Sequence, residues 1–206
     1  MTRLFRLTAA TSVCILVLQT VGCVGLGSGT PQITRYYVLH SQSKSQTISC
    51  VSDHPTIGIG PVEFPRYLSR QEIVTRINEN ELQLANFSRW AEPLEDNFSG
   101  VLEENLSSLL HTDKTYVFPW KNTDVLDYRI GVEVIQFDGQ LENDVTLKCV
   151  WSLYRKGEKS IPMKIRSTIV QPVAQKDFQS LVSAMSLTVE VLAREIAAAV
   201  RADFQN

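Results

Sequence analysis

Side chains that commonly carry out chemistry are sparse in this 206-residue chain, and their spacing excludes more than it suggests. The histidines are His40, His54 and His111. None belongs to an H-E-x-x-H pair, which sets two imidazoles on one helix face around zinc. No G-x-S-x-G nucleophile elbow, phosphate-binding G-x-x-x-x-G-K-[ST] loop or G-x-G-x-x-G fingerprint occurs. Asp53-His54 sets an acid beside an imidazole, but no nucleophile is marked nearby. The carboxylates of Glu92, Glu95 and Asp96 stand where a helix starting near Pro93 favours negative charge, and that structural role accounts for them. Cysteines fall at 14, 23, 50 and 149, with no C-x-x-C among them, so zinc and thioredoxin-like redox chemistry find no support. No catalytic, cofactor-binding or metal-ligating residue is expected, and the protein is not expected to be an enzyme.

Covalent chemistry is expected instead at Cys23, and the residues before it say why. Arg3 and Arg6 precede an uncharged, largely apolar run from Leu7 to Val21, then Gly22 and Cys23. That is the layout of a secretory signal. The run is broken by Thr8, Thr11, Ser12 and Gln19 and falls short of the ~20 apolar residues a spanning helix needs. Thr20-Val21-Gly22-Cys23 resembles the lipobox of bacterial lipoproteins, in which the cysteine is acylated on sulfur and becomes the new N-terminus. Residues 1–22 are therefore expected to be a signal peptide and Cys23 the lipid attachment site. Val24, rather than aspartate, follows the cysteine, which by resemblance to lipoprotein sorting points to the outer membrane and its periplasmic face. Several acyl chains, at about 0.8 kcal/mol per buried CH₂, hold a protein stably on a bilayer where one does not.

Loss of Arg3 and Arg6 turns 20 basic and 22 acidic side chains into 18 and 22, a net charge of -4. A surface of that sign is repelled weakly by anionic headgroups, so the lipid must provide the attachment. Nor is there a basic excess for nucleic acid, which is not expected as a partner. Residues 23–32 contain Gly25, Gly27, Ser28, Gly29 and Pro31 and read as a flexible tether, of roughly 30 Å at full stretch. Cys50 and Cys149 remain as a candidate disulfide pair in an oxidising compartment. Such a bond would close a loop of about 100 residues. The other reading of Cys149, a small buried hydrophobe on the apolar face of a strand, stays open.

The elements that must position any site are legible from periodicity. Arg35 to Leu39 and Thr56 to Val62 are strand-like, with Pro61 indicating a bulge or an edge. Glu72 to Ile77 and Leu82, Leu84 flank Asn78-Glu79-Asn80-Glu81, a hairpin pattern. From Pro93 on, Leu94, Phe98, Val101, Leu102, Leu106, Leu109 and Leu110 recur at helical spacing. Three alternating segments, around 128–134, 145–153 and 163–169, read as an antiparallel meander with turns at Asp138-Gly139 and Lys156-Gly157-Glu158. A long closing helix, about Asp177 to Phe204, carries one apolar stripe and should lie across that sheet. The expected fold is α+β: one domain over 33–206, an antiparallel or mixed sheet packed on two main helices, the longer at the C-terminus.

Two segments are richer than loops require. Ile59 to Arg70 holds two prolines, Tyr67, Leu68 and Arg70, and Phe87 to Leu94 holds Arg89 and Trp90. Trp, Tyr and Arg dominate binding hot spots, which makes Tyr67, Leu68, Arg70, Arg89 and Trp90 partner-interface candidates. Against that, Tyr67, Leu68 and Trp90 can simply plug the core, with Arg89 pairing to Glu92.

Gly60-Pro61-Val62, Pro65, Tyr67-Leu68, Arg70, Ile73-Val74-Thr75-Arg76, Arg89-Trp90-Ala91-Glu92-Pro93-Leu94 and Asn105-Leu106 together resemble the ABC-type transport auxiliary lipoproteins. The resemblance covers nearly the whole chain after Cys23 and is carried most specifically by the Arg-Trp-Ala-Glu-Pro-Leu run. It implies an outer-membrane lipoprotein that docks on a periplasmic MCE-domain protein in a system moving lipids between membranes. The expected function is thus a non-enzymatic docking subunit without cofactor, as a monomer or as a closed homo-oligomer of the kind common among soluble proteins. A second expectation of a different class is a periplasmic lipid-binding carrier, with the sheet face and the terminal helix enclosing an acyl chain. Substituting Cys23→Ala is expected to abolish acylation, seen as loss of the lipid mass, and to move the protein from the membrane to the soluble periplasmic fraction.

Overall fold

A computed structural model describes residues 32–41, 54–158 and 162–204. The signal segment, Cys23, the tether and Cys50 lie outside the described residues. All elements fall in one unit, Thr34–Asn206. In chain order they are β1 (Arg35–Tyr37), β2 (Ile57–Glu63), a 3₁₀ turn (Arg66–Leu68), β3 (Glu72–Asn78) and β4 (Glu81–Trp90), then α1 (Leu94–Leu110) and β5 (Thr115–Val117). β6 (Tyr128–Gly139), β7 (Asp144–Arg155), β8 (Met163–Pro172) and α2 (Phe178–Phe204) complete the fold.

Alternation builds the centre of the sheet. On β7, Val145, Leu147, Cys149, Trp151 and Leu153 all point inward and are buried, because a period of two sends every second side chain to one face. β7 pairs antiparallel with β6 on one side and β8 on the other, as the meander pattern predicts. On β6 the inward set is Tyr128, Ile130, Val132 and Val134. The register then slips by one residue between Val134 and Gln136, a bulge that brings Phe137 opposite Leu147 on the core face.

The remaining pairings make the eight-stranded sheet mixed. β2 runs parallel to β6 from Ile57↔Tyr128 to Glu63↔Glu133, and β3 meets the same edge of β6 further along, at Thr75↔Gly139. β3 and β4 form the expected hairpin, β1 adds parallel to β4, and β5 adds parallel to β2. Pro61 sits at a bulge, between Ile59 and Val62 in the pairing with β6, and beyond Ile59, where the pairing with β5 ends. Gly60 there has φ +117°, a conformation side chains with a Cβ rarely take, and a Cβ would stand 2.6 Å from Phe118 Cβ. β5 was not expected, because three residues are too few to show a period.

Both helices cover one face of the sheet and touch each other, α2 against β6, β7 and β8, and α1 against β2 and β5. Asp177 caps α2: its carboxylate accepts from the Ser180 N–H at 2.7 Å. The apolar stripe of α2, Leu181, Met185, Val189, Leu192, Ile196 and Val200, is fully sequestered. At its far end Tyr128 donates to Asp203 at 2.7 Å, and burial with that contact pushes the phenol up to about 12. α1 buries Leu94, Phe98, Val101, Leu102, Leu106 and Leu110. Phe98, Phe64 and Phe137 meet edge to face, with centroids 5.3 to 6.2 Å apart, which joins α1, the segment after β2, and β6. Asn97 ties the chain leaving β1 to α1, its Oδ1 accepting from the Leu39 N–H at 2.6 Å. Among the described residues no helix is long and apolar enough to cross a membrane.

Within α1, Gly100 is exposed and a Cβ there would meet nothing within 4 Å. Glycine in a helix interior costs about 0.5–1 kcal/mol relative to alanine through backbone entropy. Gly100→Ala is therefore expected to raise the Tm by about 2–4 °C in a thermal melt.

Candidate functional site

The two segments singled out by composition meet in space. Trp90, the last residue of β4, donates its backbone N–H to the Gln71 carbonyl at 2.7 Å, and Ala91 donates to the Tyr37 carbonyl at 2.9 Å. On the opposing side, the 3₁₀ turn is closed by Leu68 N–H to Pro65 and Arg70 N–H to Leu68. Between these backbones and the start of α1 lies a cavity of about 380 Å³. Its base is apolar, formed by Phe64, Leu68, Trp90 and Leu94, and its rim is polar, with Ser69, Arg70, Gln71, Glu92 and Glu95. An apolar hollow of this size with a few polar groups at its mouth has the make-up of a site that takes one or two buried side chains.

Of the five interface candidates, Leu68, Arg70 and Trp90 converge on this cavity. Leu68 and Trp90 are 3% and 4% exposed, so they form its floor and present little surface of their own, and Arg70 is exposed at the rim. Arg89 lies elsewhere, as strand alternation requires, on the face of β4 opposite to Trp90. It pairs with Glu72 at 3.9 Å rather than with Glu92, and its Nε is buried without a hydrogen-bond partner among the described residues.

Tyr67 turns inward. Its hydroxyl donates to Asp138 Oδ2 at 2.7 Å. Arg76 grips the same carboxylate from β3, Nε to Oδ1 at 2.7 Å and Nη2 to Oδ2 at 2.8 Å, and Gln136 Nε2 donates to Oδ1 at 2.9 Å. Each oxygen thus accepts twice, which satisfies a carboxylate with no solvent exposure at all. Burial alone would raise the Asp138 pKa, but the bonds from Arg76, Tyr67 and Gln136 outweigh it and hold the acid ionised below the usual aspartate range. Burial and the Asp138 carboxylate push the Tyr67 phenol well above its ordinary value, so it stays a donor.

Tyr67 is accordingly a positioning residue. Through it Asp138 fixes the turn that carries Leu68, Ser69 and Arg70 to the mouth of the cavity. Asp138-Gly139 has the composition of a turn and predicts one there. In the structure both residues are buried inside β6, and the turn falls after them, where Gln140 N–H donates to the Asp144 carbonyl at 3.0 Å. Gly139 allows that close approach, since a Cβ would lie 2.4 Å from the Asp144 oxygen.

Among the described residues Cys149 is a free, fully buried thiol on β7, pushed up to about 12 by burial and by the nearby Glu195 charge. Among the described residues no group of three or more metal-ligating side chains converges.

Comparison with known proteins adds a family and a fold. A family model described as "ABC-type transport auxiliary lipoprotein component" matches residues 37–197. No curated protein matches the chain. Among solved structures, one titled only as an uncharacterized protein superposes with a TM-score of 0.66 at 20% identity, covering 82% of this chain and 99% of its own. Protein XCC0632 from Xanthomonas campestris, of the DUF330 family, superposes with a TM-score of 0.59 at 15% identity, covering 84% of this chain and 98% of its own. Identities this low speak for a shared fold and nothing further.

Asp138→Asn keeps the shape but sets an amide against the donors of Arg76. It is expected to cost about 2–4 kcal/mol at neutral pH, measured by denaturant unfolding. The folded carboxyl titrates below the unfolded value of 3.8, so its stabilisation is fully present above that value and drains away as pH falls through the lower folded value. The gap between native protein and Asp138→Asn should therefore narrow below about pH 4.

Proposed function

The chain belongs to the ABC-type transport auxiliary lipoprotein family, and on that premise we propose that it is the docking subunit of an MCE-type intermembrane lipid transport system. In this reading Cys23 carries the lipid that holds the protein to the periplasmic face of the outer membrane. Residues 24–32 are the leash, of roughly 30 Å, and a folded domain of this length adds about 40 Å. Such a reach keeps the domain beside its membrane, so a periplasmic MCE-domain protein has to come to it.

The observation that carries the proposal is the cavity where Leu68, Arg70 and Trp90 converge. It is preformed, apolar at its base and polar at its rim, which are the features of a pocket that receives an anchor side chain from a partner protein. Family membership supports a transport auxiliary role of a non-enzymatic kind, and the residues around the cavity include no paired nucleophile and base.

The carrier reading receives less support. An acyl chain enclosed between sheet and helices needs a hollow there, but that layer is filled by Leu147, Cys149, Trp151, Leu181, Met185 and Leu192, none more than 1% exposed. Interiors packed to this degree leave no room for a lipid tail without repacking.

A photo-crosslinking amino acid at exposed Ser69, on the cavity rim, is expected to capture an MCE-domain protein in intact cells, whereas the same probe at Lys164, on the uncovered face of the sheet, is not. Equal capture from both positions, or none from Ser69, would overturn the docking role.

A further inference from the structure

The face of the sheet turned away from the helices carries a hollow of about 370 Å³, which shares no lining residue with the docking cavity. Its floor is the place where Gly131 of β6 pairs with Ser152 of β7, and Lys164 of β8 stands next in the same row. Arg129, two residues before Gly131, rests over the ring of Tyr154, with 5.3 Å from the guanidinium carbon to the ring centroid. Glu133, two residues after Gly131, stands directly opposite Glu63 of β2. Two cations thus lie to one side of the floor and two carboxylates to the other. Among the described residues none of these four has a salt-bridge partner.

Exposed charges by themselves make an ordinary solvated face, but the floor beneath these is not ordinary. Ser152 is only 9% exposed, and alternation turns it away from Trp151 and Leu153 and toward the hollow. Its hydroxyl has no hydrogen-bond partner among the described residues, a cost to the free fold that an alanine would not carry. Gly131 weakens a strand interior, yet neither its backbone nor its neighbours require it. Its φ lies outside the left-handed region, and a Cβ would meet Pro61 O and Tyr154 Cε2 at an ordinary 4.0 Å. Glycine there leaves the floor open, as in strands that a ligand approaches closely. Glu63 and Glu133 add a third cost, since like charges directly opposite on neighbouring strands repel.

We propose that this hollow binds a phosphate–amine zwitterion of the phosphoethanolamine type: its phosphate accepts from the Ser152 hydroxyl and pairs with Arg129 and Lys164, and its ammonium lies between Glu63 and Glu133. The inference goes beyond the docking role and uses none of its residues. Charge complementarity selects a zwitterion, because a lone anion meets the two carboxylates unfavourably and a lone cation leaves the Ser152 hydroxyl and both basic side chains unused. Three donors on three strands suit a tetrahedral phosphate, whose several oxygens accept from different directions, better than a planar carboxylate. Arg129 and Glu133 are four strand residues, about 13 Å, apart along the backbone. Two long side chains leaning over Gly131 close that span around a group whose charges are joined by two carbons. A phospholipid headgroup and a soluble phosphate ester both carry this group.

The test is titration calorimetry on the full lipidated protein in neutral detergent. The probes are glycerophosphoethanolamine, its two halves glycerophosphate and ethanolamine, and free glycine as a carboxylate zwitterion. Glycerophosphoethanolamine is expected to bind at least about tenfold more tightly than any of the other three. Ser152→Ala, checked for an unchanged thermal melt, should weaken it about fivefold. Glu133→Gln should abolish its advantage over glycerophosphate without weakening glycerophosphate itself, and Arg129→Gln should abolish its advantage over ethanolamine. Phosphatidylethanolamine mixed into the micelles separates the two sources: displacement of the soluble probe assigns the site to a lipid headgroup, and no displacement assigns it to a soluble ester, both in support of the proposal. Equal binding of either half or of glycine overturns it. So does the failure of all four probes, or binding that survives all three substitutions unchanged and therefore takes place elsewhere.

Discussion

One carboxylate holds together the part of the fold that the rest leans on. Asp138 stands near the end of β6 with no exposure, and four donated bonds reach it from Tyr67, Arg76 and Gln136. A buried charge is tolerable only when its lone pairs are met, and here all of them are. The constraint also solves a problem of connectivity. β2 leaves the edge of β6 at Glu63, and β3 returns to that same edge near Gly139, so the chain between must make a compact detour. Tyr67 sits in the detour and Arg76 in the returning strand, and both are tied to the strand that the detour had left. The cavity mouth is the outer side of that loop of chain.

Most of the scaffold was legible in the sequence, because its signals are long and periodic. The meander on 128–169 and the stripe on α2 each repeat over ten or more residues, and both stand where the alternation and the helical spacing put them. What was not legible is short or depends on distant partners. β5 has three residues and exists because β2 offers it an edge. The bulge between Val134 and Gln136 moves the inward positions from even to odd numbers, and Phe137 alone beyond it is too short a stretch to show a new phase. Asp138-Gly139 has the composition of a turn, and only the arrival of Arg76 from 62 residues away makes it the inside of a strand.

The site was legible to a similar degree. Residue types singled out two segments, and those segments do meet, with Leu68, Arg70 and Trp90 around one cavity. Composition could not distinguish a side chain that lines a surface from one that supports it. Tyr67 has the chemistry of a hot spot and works from behind as a strut. Arg89, one position from Trp90, is turned to the other face by the period of two that organises every strand.

The first strand has a mechanical meaning. β1 is three residues long, lies at an edge of the sheet and is the first element met on passing from the N-terminus into the domain. It pairs with β4 opposite Ser88, Arg89 and Trp90, its last residue Tyr37 accepts from the Ala91 N–H, and just beyond it Leu39 is held by Asn97. A pull on the chain at Thr34 is therefore carried first by the residues that floor and edge the cavity. The entry to the domain and the pocket share one load path, so tension at Thr34 is felt in the shape of the cavity.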